Sequence, residues 1–321
     1  MLKKVLLNLL KALIAAGLLW WLTQSGKLNW EVIAEVRRYP HRLLLAFFFC
    51  FFSLLLCTWR WRHLLSARAT RLQPIAGLFL VNWIGMFFSS VLPGSVTGDV
   101  IKIFYVRKKD EAFSTPFLLF SCFLDRLMGV TGLVLLMGFF SVLNYSSLIH
   151  LSPKLAPLLK FNFFLLAGVL TSLTAFFFFP GLIRQTLNQI KRFLPKLQIV
   201  DRLIELWNDL SAARPQIGWA ILISIVVQFL GVVIFYLLVS PQFVTNLSLD
   251  LVLSFIPLGF MAIAIPIAPG GLGVGHAAFE SLFAMAGEPN GANFFNMYFL
   301  VMMLFNLLGF IPWLVLRRPS K

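Results

Sequence analysis

Six ionisable side chains stand inside or at the edge of long apolar stretches: Asp99, Lys102, Asp125, Arg126, His276 and Glu280. A charge held in hydrocarbon costs about 3 kcal/mol even on lenient scales, so each needs a partner or a task. Asp99 ends the run Pro93-Gly94-Ser95-Val96-Thr97-Gly98-Asp99. Asp and Thr there suit the cap of a helix that restarts after a break, and a capping carboxylate can also take part in binding. Lys102, one turn later, is placed to pair with Asp99 or to meet a phosphate. Asp125 and Arg126 are adjacent, so on a helix they point apart and cannot neutralise each other. Arg126 is expected to find Asp99 or a phosphate, and Asp125 to find Lys102. The structural alternative is a buried salt-bridge network without a ligand. Glu280 lies four residues after His276 and shares its helical face. The two could relay a proton, bind an amine, hydrogen-bond each other or face an aqueous vestibule.

Two breaks frame these charges. Pro93, Gly94 and Gly98 form the first, and Pro269, Gly270, Gly271 and Gly273 the second. Each break leaves a helix N-terminus, near Asp99 and near His276, whose free N–H groups and dipole favour anions. Two such ends facing one cavity would suit a phosphate group. Other chemistries lack their signatures. Gly271-Leu272-Gly273-Val274-Gly275-His276 is not a dinucleotide fingerprint, and no Gly-Lys-Ser/Thr phosphate loop occurs. His41, His63, His150 and His276 have no metal-type spacing. Cys50 and Cys57 would lie roughly 10 Å apart on one helix, too far for a disulfide. No metal, cofactor or nucleophile arrangement is expected.

The elements that hold these residues are membrane helices. Of 321 residues, 60% are hydrophobic and 12% charged, against about 25% charged in an ordinary soluble domain. Mean hydropathy is +0.88. The 35 Phe exclude disorder; their runs are expected to face lipid or to pack. The net charge of +15 is scattered in short clusters between apolar runs, which fits membrane topology and not a nucleic-acid surface.

Eight apolar segments occur, at about 5–22, 43–59, 74–92, 116–142, 161–180, 216–239, 249–268 and 293–316. The first is expected to be a retained helix and not a cleaved signal. If all eight crossed, the basic stretch Lys102–Lys109 would face outward, against the positive-inside rule. If 74–92 instead turns back at Leu92-Pro93-Gly94 and returns through 99–107, the Lys/Arg residues gather on the side of the N-terminus. Only Lys27, Arg37, Arg38, Arg42, Lys154 and Lys160 then remain outside, with Arg126 inside a span. The second break sends 249–268 back outward through about 276–286 to the turn Glu288-Pro289-Asn290-Gly291.

The expected fold is therefore an all-α integral membrane protein. It has six full spans and two oppositely oriented re-entrant hairpins, at about 74–107 and about 249–287, arranged as an inverted repeat. Kinked full helices are the competing reading. Segments 28–42 and 181–215 read as amphipathic surface helices. The chain 1–321 is expected to be one polytopic domain without a separate soluble catalytic domain. Both termini are expected in the cytoplasm of a bacterial inner membrane.

LPGSVTGDVIKIFYVRK, FLDRLMGVTGLVLL and IPIAPGGLGVGHAAFESLF resemble the three hallmark stretches of the lysylphosphatidylglycerol synthase transmembrane family. That family is flippase-like and includes the membrane domain of the multiple peptide resistance factor. The resemblance runs from the second segment to the last, with Thr97 where a second glycine is expected. It implies handling of aminoacylated phosphatidylglycerol, hopanoid or polyprenyl-linked lipids. It also marks Pro93, Gly94, Gly98, Asp99, Asp125, Arg126, Pro269, Gly270, Gly271 and Gly273 as family positions. The aminoacyl-transfer chemistry of the resistance factor belongs to a soluble domain that is not expected in this chain. The expected function is a lipid flippase or transporter for an anionic or phosphate-linked headgroup, working without a cofactor. The alternatives are a non-transporting partner of a separate lipid synthase or glycosyltransferase, and an intramembrane enzyme with Asp99 or Glu280 as acid/base.

Overall fold

The structure is a computed structural model that describes residues 38–66, 74–92, 97–109, 113–193, 198–245, 247–264 and 273–315. The expected first span at 5–22, most of the 28–42 segment, Pro93, Gly94, Pro269, Gly270 and Gly271 lie outside the described residues.

Among the described residues the regular structure is helical throughout. Helix α1 (Pro40–Leu65) starts with a proline in its first turn, where the missing N–H costs nothing. It carries a buried face of Ala46, Cys50, Leu54, Thr58, Trp61 and Leu65, three to four residues apart. Its other face leaves Leu44 and Phe48 more than half exposed. Phe123, Phe139, Phe164 and Phe178 are exposed to the same degree on other helices. Such surfaces suit a hydrocarbon solvent and not water. Five helical segments are long and apolar enough to cross a membrane: Pro40–Leu65, Thr115–Leu143, Pro153–Phe178, Arg214–Gln242 and Gly291–Val315. They cover five of the six expected full spans. The span expected at 43–59 is longer at both ends, and Arg42 lies in its first turn.

Helices α2 (Ile75–Val91) and α3 (Thr97–Lys109) form a tight hairpin. Leu92 ends α2 in an extended conformation, as a residue before proline must. A Cβ placed on Gly98 would lie 2.2 Å from the Gly85 carbonyl oxygen and 2.1 Å from Ser89 Oγ, so the two backbones touch where no side chain fits. Gly98→Val is expected to push the hairpin apart and destabilise the protein by about 1–3 kcal/mol, read as a lowered melting temperature in detergent. An unchanged melting temperature would mean the contact is soft.

Helix α4 (Thr115–Leu143) is capped by Ser114, whose side chain accepts from the Phe117 N–H at 3.4 Å. Arg107 Nη1 of α3 donates to Thr115 Oγ1, and Arg126 Nε of α4 donates to Asp99 Oδ2 at 2.8 Å. These pairs run α3 antiparallel to α4. With a rise of 1.5 Å per residue, they lift Asp99 about 15 Å above the turn between the helices.

After α5 (Tyr145–Leu151) and a short turn of 3₁₀ helix, α6 (Ala156–Phe178) runs back along α4. Its Asn162 Nδ2 donates to Ser141 Oγ at 3.0 Å and to the Ser254 carbonyl at 2.9 Å. Helices α7 (Pro180–Phe193) and α8 (Gln198–Ala212) occupy the segment read as an amphipathic platform. Lys191 and Asp201 join them as an ion pair, and Trp207 Nε1 donates to the Pro180 carbonyl at 3.3 Å.

Helix α9 (Arg214–Val239) lies antiparallel to α1. Arg42 Nη1 reaches Ser240 Oγ at 2.8 Å near one end, and Arg60 Nη1 reaches Ser224 Oγ at 2.9 Å near the other. A second short pair follows, α10 (Leu249–Ala264) and α11 (Val274–Met285), with Phe279 packed into the space left by Gly259. Gly287 and Asn290 supply the two positive-φ positions of the turn into α12 (Gly291–Leu307). The span expected at 293–316 is interrupted at Leu308-Gly309 before α13 (Phe310–Val315). Buried Glu288 ties the turn to the 243–245 loop by accepting from Val244 N at 2.8 Å and from the Thr245 N–H and hydroxyl.

The order long, short, short, long thus occurs twice, in α1–α4 and α9–α12. Because α1 and α9 are antiparallel, the two sets run in opposite senses. The aromatic core, with Phe235, Phe255, Phe279, Phe283, Phe294 and Phe295 almost fully buried, belongs to the second set.

Candidate functional site

The first hairpin carries the charges. Asp99 lies in the first turn of α3, two residues past its start, and does not serve as the N-cap. Its carboxylate is shared: Lys102 Nζ lies 3.0 Å from Oδ1 and Arg126 Nη2 lies 2.6 Å from Oδ2. The Arg126–Asp99 pairing agrees with one of the two partners expected from the sequence.

Asp125 does not meet Lys102. Its carboxylate receives Arg60 in a two-pronged pair, Nε to Oδ1 at 2.7 Å and Nη2 to Oδ2 at 3.0 Å. Arg60 is buried, and its remaining Nη1 goes to Ser224 of α9. Lys102 instead lies with its ammonium 4.8 Å from the centre of the Trp61 ring, a cation–π contact. The Trp61 indole N–H donates to Ser121 Oγ at 3.1 Å. The physical reason is reach: Arg60 sits across from Asp125 on the face that α1 turns toward α4, while Lys102 is held one turn from Asp99.

These groups surround a cavity of about 300 Å³ between the hairpin and helices α1, α4 and α12. Its polar lining is Asp99, Lys102, Asp125, Arg126, Asn82 and Asn306. Asn306 Nδ2 donates to Ser90 Oγ at 3.0 Å, while its buried Oδ1 has no partner among the described residues. Arg60, Lys102 and Arg126 against Asp99 and Asp125 leave the cluster one positive charge in excess. Arg126 is its accessible member: its side chain is 45% exposed, against 13% for those of Asp99 and Lys102. Low dielectric strengthens an approach by an anion, and a planar guanidinium matches a phosphate in two-pronged fashion.

The second hairpin is built differently. His276 Nδ1 accepts from the Gly273 N–H at 3.3 Å, capping its own helix, and its ring stands edge-on to Phe295. Glu280 Oε2 accepts from the Ala292 N–H at 2.8 Å, so it caps the first turn of α12. The shared face of the two residues holds, but each side chain is turned to a different backbone group. Among the described residues no member of the second hairpin lines the cavity at the first, so the two helix N-termini are not brought to one site by what is described. Gly98 and Gly273 serve backbone geometry: the first a close approach, the second a φ of +80°.

Arg60, Trp61, Asn82, Ser224 and Asn306 join the site without having been singled out in the sequence. The usable signal was on α1, where the spacing of Cys50, Leu54, Thr58 and Trp61 carries the inward face past the last purely apolar residues.

A family model described as the lysylphosphatidylglycerol synthase TM region matches residues 8–309. No curated protein and no solved structure matches the chain.

Proposed function

The chain belongs to the lysylphosphatidylglycerol synthase TM region family, and from that premise we propose that it moves lipids with an anionic headgroup between membrane leaflets. The observation that carries this reading is the cavity at the first hairpin, a polar and net-positive chamber about 15 Å along otherwise apolar helices. In this account the α2–α3 pair is re-entrant from the cytoplasm, the α10–α11 pair is re-entrant from outside, and both termini are cytoplasmic.

A headgroup phosphate enters by displacing Asp99 from Arg126, the most accessible of the charged groups, while Lys102 stays within reach of both. The Arg60–Asp125 pair behind it remains closed and holds α1, α4 and α9 together. Nothing covalent happens to the lipid; the cavity replaces water for a charge that must cross hydrocarbon. With Glu280 and His276 engaged on backbone N–H groups, Asp99 and Asp125 are the carboxylates left for coupling to protons.

A non-transporting role beside a separate lipid enzyme draws on a different observation, that the carboxylates of Asp99 and Asp125 are both fully paired within the protein. The readings separate in liposomes reconstituted with the purified protein and labelled phosphatidylglycerol or phosphatidylcholine. Transport predicts saturable movement of the anionic lipid, at least tenfold faster than the zwitterionic one. Movement no faster than in protein-free vesicles would favour the partner role.

A further inference from the structure

A second lipid site lies on the opposite side of α4 from the charged cavity, and it does not depend on the transport reading. The upper half of α6 is fastened to α4, with Leu166 against Gly138 and Asn162 bonded to Ser141. Below Leu166 the two helices part. A Cβ on Gly168 would meet nothing within 4 Å, and Ser172 turns its hydroxyl back to the Gly168 carbonyl at 2.7 Å. The space between α4, α6 and α9, closed by Leu210 of α8, is an apolar groove of about 300 Å³ lined by groups such as Leu127, Met128, Val169, Leu173 and Phe176. Protein interiors do not keep such volumes empty, and an apolar one takes an apolar guest.

The groove continues into a smaller pocket of about 120 Å³, the two sharing Leu124, Leu210 and Ile217. This pocket holds Gln216, whose buried Oε1 has no hydrogen-bond partner among the described residues. An orphaned acceptor in an apolar setting calls for a donor from outside the protein. The pocket reaches Phe117, in the first turn of α4, whereas the groove extends to Thr131, over four turns further along. A polar end near the helix terminus and an apolar end toward its middle is the posture of a lipid in one leaflet.

We infer that this groove binds one acyl chain of a membrane phospholipid whose headgroup carries a hydrogen-bond donor, the donor meeting Gln216 Oε1. Phosphatidylethanolamine and phosphatidylglycerol carry such a donor; phosphatidylcholine does not. The full chain, stripped of lipid in detergent, is titrated with each of the three and the bound lipids are counted by native mass spectrometry. The expected result is one saturable site with at least tenfold preference for the two donor-bearing lipids. Gly168→Trp, which fills the groove from a position with open space, removes that lipid, and Gln216→Leu lowers both preferred lipids to the level of phosphatidylcholine. If the Trp variant does not elute as a single species, Gly168→Leu replaces it. Arg126→Gln separates the two sites, since it touches only lipid held in the charged cavity. A bound-lipid count unchanged by a folded groove-filling variant, or phosphatidylcholine bound as tightly as the others, overturns the inference.

Discussion

Arg60→Met is expected to destabilise the protein by about 3–5 kcal/mol, the usual result of removing one partner from a buried ion pair. The guanidinium of Arg60 is buried and makes three polar contacts, two to Asp125 and one to Ser224. Its loss leaves a carboxylate that is 14% exposed facing an apolar wall. The methionine side chain fills similar volume, so the loss is electrostatic and not a cavity effect. The double variant Arg60→Met/Asp125→Leu should recover most of the stability, because neither charge is then stranded. Thermal unfolding of the three proteins in one detergent decides the matter. A single variant as stable as wild type would show that water reaches Asp125 and that the pair is not a joint between α1 and α4.

This joint is also where sequence reading and structure part company. Asp125 and Arg126 were legible as charges that cannot face each other, because helical geometry alone forbids it. The link from Arg126 to Asp99 followed from counting the few charges that hydrocarbon tolerates. The two short hairpins were legible from Pro and Gly in apolar stretches and from the Lys/Arg balance, and their helices lie within a few residues of the expected positions. Arg60 was not legible. It sits with Arg62 near the end of an apolar run, and such a pair reads as a cytoplasmic boundary. Only the continuation of α1 to Leu65 turns Arg60 inward. The partner of Glu280 was hidden for another reason. Spacing put it beside His276, but the backbone N–H that it accepts, at Ala292, comes within reach only because Gly291 lets α12 close on α11.

The second large effect is on function. Arg126→Gln is expected to slow movement of anionic lipid about a hundredfold, consistent with the 2–5 kcal/mol that a desolvated charge contact typically carries. Stability should change little, since the Arg126 side chain is 45% exposed and partly exposed pairs contribute about 1 kcal/mol or less. Asp99→Asn should act differently. It frees Lys102 and Arg126 from their shared carboxylate, so the cavity gains positive charge and holds an anionic headgroup more tightly. Binding should strengthen while turnover falls, because a ligand held too firmly is slow to leave. An allied case, Glu280→Gln, keeps an acceptor at the start of α12 and should leave transport within a factor of about two, since the side chain does not line the cavity.

The most direct test of the charged cavity as the lipid path is translocation of labelled phosphatidylglycerol in liposomes, with wild type and Arg126→Gln reconstituted at equal density. Fast movement by wild type and a loss of about a hundredfold in a folded Arg126→Gln protein is the result this account requires. Equal rates in the two would contradict it, and would leave the Asp99, Lys102 and Arg126 cluster as a structural clamp and not a path.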